Sequence, residues 1–238
     1  MKEQNLSKYR KSGSNNLRKS MPFFAGLSDE EIVEFERVIV EKRFSKNEII
    51  LLEEDTPNYM YIIYSGKVKA VQTSIDGKEQ ILAIHGKGES FGEMSLLDGK
   101  TSPATVVAME DTHVGLVKRS DVEKYLLGKD KVQRQIILTL CSRLREAWLR
   151  LKVLSFADAE HRVRAVLKLL SEQSGIKDER GIIISLKLTH KDIASYASVS
   201  RETVTRFLDS FLREGEIEIL SDKNILLKPS FTEKSISL

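Results

Sequence analysis

A single cysteine, Cys141, stands among the 238 residues of this chain. One thiol closes no intramolecular disulfide and cannot supply the thiolates of an iron–sulfur cluster. A reducing cytoplasm is therefore the expected setting. Long apolar runs are missing as well: nothing approaches the roughly eighteen residues that suggest a membrane span. The first twenty residues lack the apolar centre of a signal peptide, so no membrane partner is expected. Neither charge sign dominates, since 38 Lys and Arg against 35 Asp and Glu leave a net charge of +3. That total does not announce a nucleic-acid binder, and the distribution of charge has to decide. The motifs of catalysis are absent too. There is no nucleophile elbow, P-loop, paired-cysteine or HExxH pattern, and the four histidines are scattered. No catalytic residue and no metal site is expected. What remains is a chain with 41% hydrophobic and 31% charged residues, the composition of a folded globular protein.

Charge is distributed unevenly. Residues 1–20 hold Lys2, Lys8, Arg10, Lys11, Arg18 and Lys19 against one acid, Glu3, and read as a flexible basic tail. The stretch "MPFFAGLSDEEIVEFERVIVEKRF" then reads as a short helix, opened by Ser28 with Glu31 at its third position as a capping box. From about Arg43 to Arg119 the texture turns to short β-rich runs: "NEIILLEE", "YMYIIYSG", "KVKAVQTS", "EQILAIHG", "ATVVAME" and "HVGLVKR". Asp76-Gly77 is a hairpin signal between two of them, and further glycines punctuate the rest. Strands at this spacing imply an all-β sandwich or roll.

The longest helical pattern follows. Ile137, Leu140, Leu144, Ala147, Leu151 and Leu154 alternate spacings of three and four, an a/d seam. Such a stripe is buried either against its own domain or against a twin helix in a homodimer. The second is favoured because the β-rich region has its own alternating core. Beyond Phe156 helical patterns dominate, closing with a β-like finish, "EIEILSDKNILLKP". Two to three helices followed by a hairpin is the layout of a winged helix-turn-helix.

Within it, Thr189 caps a short helix with Asp192 at its third position. Ile193, Ala194 and Ala197 suit a tight crossing, "SVS" makes the turn, and Ser200 caps a second helix. Val204, Phe207, Leu208, Phe211 and Leu212 give that helix an apolar stripe. Its opening turns carry Arg201, Glu202, Thr203, Thr205 and Arg206 on the remaining face, with Glu202 and Arg206 one turn apart. Arginine donates two hydrogen bonds to guanine and glutamate accepts from cytosine, in the major groove. The start of the second helix is where helix-turn-helix proteins make base contacts.

The segment "LTHKDIASYASVSRETVTRFL" resembles the helix-turn-helix signature of the CRP/FNR family of bacterial transcription regulators. The upstream "GKVKAV…DGKEQILAIHGKGESFGEMSLLDGK…PATVVAME" resembles that family's effector-binding β-roll, and the order of parts agrees from about residue 21 to residue 229. The resemblance implies an α+β chain in four parts: a basic tail (1–20), a cyclic-nucleotide-binding-like jelly roll (21–127), a dimerisation helix (128–156) and a winged helix-turn-helix (157–238). It implies base contacts from Arg201, Glu202 and Arg206, phosphate contacts from Thr189, His190, Lys191 and Ser200, and a TGTGA-like inverted repeat in double-stranded DNA. Two recognition helices about 34 Å apart would meet that repeat. RNA polymerase is the further partner it implies, and Phe156-Ala157-Asp158 the hinge.

The same resemblance places an effector pocket at Gly92, Glu93, Met94, Ser102, Pro103, Ala104, Ala147 and Trp148. In cAMP-responding members a Gly-Glu pair meets the sugar and an Arg-Ser pair holds the cyclic phosphate. Gly92-Glu93 keeps the first, and its carboxylate is expected to accept from a sugar hydroxyl. Ser102-Pro103 replaces the second with one neutral donor and none, where a phosphate diester needs a cation or several N–H groups. Lys100 offers only a point charge nearby. Ala147 and Trp148 replace hydroxyl side chains on the helix. The expected effector is thus a small molecule other than cAMP, such as a cyclic dinucleotide or another anion, or the pocket is filled by its own side chains. Haem would need an axial ligand, and His85 and His113 read as ordinary strand or surface residues. An enzyme and a non-specific architectural DNA binder are the rival classes.

Overall fold

Ser28 opens the first helix, α1 (Asp29–Val38), through the expected capping box. Its hydroxyl accepts from the Glu31 N–H, and the Glu31 carboxylate accepts from the Ser28 N–H at 2.8 Å. The computed structural model describes residue 24, residues 27–156 and residues 158–234. The basic stretch 1–20 and Ala157 of the expected hinge lie outside the described residues. The helix is shorter than its sequence pattern implied. The chain extends at Ile39, and Val40–Phe44 forms β1, antiparallel to β8 (Thr112–Lys118) with Val40 opposite Leu116. The β-branched run Val38-Ile39-Val40 favours a strand, and tertiary pairing overrides the helical periodicity.

The β-rich region forms two four-stranded sheets. One has the order β1-β8-β3-β6, with β3 at Tyr59–Ser65 and β6 at Ser90–Phe91. The other has the order β2-β7-β4-β5, with β2 at Ile49–Leu51, β4 at Val68–Thr73, β5 at Glu79–His85 and β7 at Thr105–Ala108. This is the expected jelly-roll-like body. Strand β3 explains the near-continuous apolar run "YMYIIY", because both of its faces are covered. Tyr61 and Ile63 pack inside the roll with Phe44, Leu51, Val68, Phe91, Val106 and Val114. Met60 and Ile62 point the other way, into a cluster with Phe35 of α1, Leu96 of α2 (Glu93–Asp98), and Val122 and Leu126. Those last two belong to α3 (Arg119–Val122) and the π-turn that continues it to Leu127.

Helix α4 (Asp130–Ser155) is the expected long helix. Contacts divide the chain into two compact units. The first runs to Thr73 and from Ile81 to Arg143, and the second comprises Ser74–Gln80 and the chain from Leu144. No helix of the described residues is long and apolar enough to cross a membrane.

In the second unit Asp158 caps α5 (Ala159–Ser174). An antiparallel hairpin that the helical reading of this region had not anticipated follows, β9 (Gly175–Asp178) and β10 (Gly181–Ile184). Then come α6 (His190–Ala197), α7 (Arg201–Arg213), β11 (Ile217–Ile219), β12 (Ile225–Leu227) and α8 (Pro229–Lys234). The late strands join the earlier hairpin in one sheet, β11-β12-β10-β9. Two to three helices closed by a hairpin were legible; the doubling of the hairpin was not, because "GIKDERGIII" is too short to separate from a frayed helix end.

Arg164 ties this unit together. Its guanidinium donates to Glu216 Oε2 at 2.6 Å and to Glu160 Oε1 at 2.9 Å. It also lies 4.1 Å from the ring centre of Phe211 and 5.2 Å from that of Phe231. Glu216 is 1% exposed, so removing it leaves a buried cation short of its partner. Replacing Glu216 by alanine should lower stability by about 3–5 kcal/mol. A urea midpoint within error of the wild-type value would refute that role for the pair.

Candidate nucleic-acid interface and effector site

Two capped helix starts organise the helix-turn-helix. The Thr189 hydroxyl accepts from the Asp192 N–H at 3.1 Å, while the Asp192 carboxylate accepts from the Thr189 N–H at 3.0 Å and its hydroxyl at 2.7 Å. Helix α6 ends at Ser198 in the left-handed region, φ +50°. Ser200 then caps α7, accepting from the Thr203 N–H at 3.1 Å, with the two hydroxyls 3.0 Å apart. Both cap hydroxyls are spent inside the protein. What Thr189 and Ser200 offer an anion is the array of free N–H groups in the turns they open.

Helix α7 buries Val204, Leu208 and Phe211, with Phe207 and Leu212 half-buried beside them. Its other face is open. Arg201, Glu202 and Arg206 are exposed and, with Thr205, Asp209, Leu212 and Arg213, line one shallow concavity along the helix. The structure thus brings the three expected base-reading side chains onto one surface, and that surface runs two turns further than expected, to Arg213. The Glu202 carboxyl is held below its ordinary value by hydrogen bonds from its own backbone N–H and from the Ser200 hydroxyl. It stays an ionised acceptor at neutral pH. His190, the first residue of α6, lies with Nδ1 2.8 Å from Thr205 Oγ1. Lys191 is exposed, its Nζ 3.1 Å from the Glu79 carboxylate of the same unit.

The effector residues fall into two groups. Gly92, Glu93, Met94, Ser102, Pro103 and Ala104 belong to the first unit, Ala147 and Trp148 to the second. Gly92 caps α2 at φ +81°, and an added Cβ would stand 3.0 Å from the Tyr59 carbonyl and 3.1 Å from the Tyr61 ring. Glycine is required there on both counts. Glu93 is 4% exposed. Arg143 of α4 pairs with its Oε1 and donates to the Ser90 carbonyl as well. The other oxygen, Glu93 Oε2, and the nearby Ser90 Oγ are buried with no hydrogen-bond partner. Two such orphans fit a ligand hydroxyl.

The phosphate end fits poorly. Ser102 is 4% exposed and its hydroxyl is spent on the Ala104 carbonyl at 2.8 Å. Pro103 has no N–H, and its carbonyl is taken by the Gln72 amide at 3.0 Å. Sequence reasoning missed Arg143, which looked like one more charge on the outer face of a heptad helix. Its only signal was a spacing of three from Glu146 among several similar arginines, which does not distinguish it. Of the two histidines weighed for haem, His113 Nε2 lies 3.0 Å from the Glu41 carboxylate and His85 Nδ1 3.7 Å from Glu89.

The six expected seam residues of α4 differ in exposure. On α4, Ile137, Leu144, Trp148 and Leu151 are 51–65% exposed, and Cys141 is exposed with them. Leu140 and Leu154 are half-buried instead, and Ala147 is exposed at the stripe's flank. Both 137-140-144-147 and 137-141-144-148 satisfy a heptad, and only packing decides which line stays open.

A roll of the cyclic-nucleotide-binding shape followed by a helix-turn-helix is the domain pair of a class of transcription regulators. Residues 41–128 match the model of the cyclic nucleotide-binding domain, and residues 161–229 that of the Crp-like helix-turn-helix domain. The chain is 35% identical to the cyclic AMP receptor protein of Thermus thermophilus, over 84% of this chain and 90% of that protein. It is 27% identical to a CRP-like cAMP-activated global transcriptional regulator of Mycobacterium tuberculosis, over 87% of this chain and 92% of that one. The solved structure of FixK2 from Bradyrhizobium japonicum superposes with a TM-score of 0.74 at 27% identity, covering 84% of this chain and 99% of that one. The chain belongs to the CRP/FNR family of transcription regulators.

Proposed function

We propose that the protein is a cytoplasmic homodimer that binds a TGTGA-like inverted repeat in double-stranded DNA and hands that occupancy on to RNA polymerase. Its working parts are the roll (21–127), the seam helix (128–156) and the winged helix-turn-helix (157–238). The observation that carries the reading is the exposed Arg201, Glu202 and Arg206 surface at the capped start of α7. Arg201 and Arg206 read guanine, Glu202 reads cytosine, and Thr189, His190, Lys191 and Ser200 set the register on phosphates. In gel shifts at fixed salt the chain should retard a TGTGA palindrome in strong preference to scrambled duplex. Arg201→Ala should cost about 1–3 kcal/mol at the cognate base pair. Equal retardation of both duplexes leaves only electrostatic binding and overturns the reading.

The dimer is supported by the apolar stripe of α4, which the single chain leaves uncovered. In a parallel two-fold pair, residues on the stripe's centre line face their own copies. Cys141 lies on that line, so mild oxidation should give a disulfide-linked dimer, since Cα atoms within about 7 Å can be bridged. A chain that sediments as a monomer and does not cross-link contradicts the dimer.

The effector is a small molecule other than cAMP, or the pocket is closed by Arg143 acting as an internal occupant. The spent Ser102 hydroxyl and Pro103 support this reading. A second reading, cAMP itself, is favoured by the Thermus relative and by the guanidinium of Arg143 beside Glu93, a cation able to serve a phosphate once released. Thermal unfolding separates them. Under the first reading cAMP leaves the transition unmoved. Under the second, ligand at a hundred times its dissociation constant adds about 2.7 kcal/mol.

A further inference from the structure

Tyr196 stands near the end of α6, two residues before the Ser198 turn and five before Arg201 opens α7. It is 4% exposed, a large ring beside the small Ala194 and Ala197. A buried tyrosine hydroxyl needs a partner. Arg150 of α4 supplies one. Its Nη2 donates to the Tyr196 hydroxyl, and its guanidinium carbon lies 4.1 Å from the centre of the ring. One planar cation thus holds the side chain both by its face and by its tip, which the point charge of a lysine cannot reproduce. Arg150 is half-buried, and Val153, one turn further along α4, is 2% exposed. The last turns of α4, from Leu144, belong to the same compact unit as α6 and α7.

A two-fold pair of chains makes a demand on this link. With α4 at the axis, the separation of about 34 Å between two recognition helices depends on how each α7 is carried on its own α4. The covalent route from one to the other passes through the expected hinge at Phe156 to Asp158 and then through all of α5. A hinge alone leaves a rotation free, and a second attachment away from it removes that rotation. Val153 adds burial, which has no direction. Arg150 adds a directed contact about 7.5 Å up α4 from its end at Ser155, and it grips α6 beside the turn from which α7 starts. We propose that Arg150 is a positioning residue for operator recognition: through Tyr196 it fixes the helix-turn-helix on the seam helix and so sets the half-site spacing that the dimer accepts. The inference rests on the dimeric, DNA-binding reading above.

Gel shifts of the full-length chain on three duplexes test this. The first is a TGTGA palindrome with half-site centres one helical turn apart, the second has two base pairs added to its spacer, and the third carries a single TGTGA. The two added base pairs move one half-site by about 7 Å and turn it by about 70° around the duplex. Wild type should favour the first duplex over the second by about a hundredfold, the loss of one of two linked contacts. Arg150→Met keeps the stem of the side chain without its charge or fork. It should shrink that ratio by roughly tenfold and leave binding to the single half-site unchanged. Tyr196→Phe, which keeps the ring face and loses the hydroxyl, should shrink it by about threefold, and Arg150→Lys should fall between Arg150→Met and wild type. Circular dichroism and sedimentation identify the variants that remain folded dimers, and should Arg150→Met not fold, the two milder variants carry the same test. If Arg150 serves only stability, all three duplexes lose affinity by one common factor and the proposal fails. If Arg150 itself touches DNA, the single half-site is weakened and its salt slope falls by about 0.9, and the proposal fails again. A folded, dimeric Arg150→Met with the wild-type ratio refutes it, as does a wild type that rejects scrambled duplex yet accepts both spacings equally. A wild-type chain that is monomeric, or that retards palindrome and scrambled duplex alike, overturns the reading on which this inference stands, and the inference with it.

Discussion

Arg164 is 7% exposed, and its charge survives there because two carboxylates and two aromatic rings surround it. Burial works against the guanidinium, while the hydrogen bonds from it to Glu216 and Glu160 work for it and win, so its affinity for the proton is raised further above the ordinary value. The group is an arginine rather than a lysine for a geometric reason: a planar fork reaches two carboxylates at once and still presents a face to Phe211. Through Phe211, Glu216 and Phe231 it fixes α5 against α7, against the residue that precedes β11 and against α8. The exposed Arg201, Glu202 and Arg206 lie off the face of α7 that carries Phe211, so the direction in which they project is tied to a contact that never meets solvent.

Capping does the rest of the positioning. Thr189 and Ser200 spend their hydroxyls within the first turns of α6 and α7. That leaves the backbone N–H groups of those turns aligned and the local field positive. Lys191, Arg201 and Arg206 add charge to the same region, although the chain as a whole is nearly balanced at +3. The α7 concavity itself sets Arg201, Arg206 and Arg213 against Glu202 and Asp209. Glu202 is tolerated among those cations because its own amide and Ser200 hold it.

Most of the helix-turn-helix was legible in the sequence, because its determinants are local: a cap with its partner three residues on, small residues at a crossing, an apolar stripe at helical spacing. The same holds for β2 to β5, β7 and β8, whose β-rich runs and turns lie within short windows. Where the sequence misled, the cause was a contact with a distant segment. Val38 to Phe44 continues a helical pattern, yet β8, more than seventy residues later, takes Val40–Phe44 as its neighbour. The exposure pattern along α4 has a similar origin. Leu140 and Cys141 satisfy the same repeat, and only three-dimensional packing half-buries the first and leaves the second exposed.

The expected effector site shows the limit of motif reasoning most clearly. Judged on Ser102 and Pro103 alone, the site lacks any cation for a phosphate, and the deduction that a cyclic phosphate is unwelcome follows at once. Folding changes the terms by delivering Arg143 to Glu93 from fifty residues away. The pocket then has both a guanidinium and a carboxylate, already neutralising each other, with one carboxylate oxygen and one serine hydroxyl left without partners. A ligand with hydroxyls satisfies the orphans and leaves the pair intact. An anion has to compete with Glu93 for Arg143, and breaking a buried pair is costly unless the newcomer replaces what each ion loses. Any anion considered for this site has to be weighed against the Arg143–Glu93 pair as well as against Ser102 and Pro103.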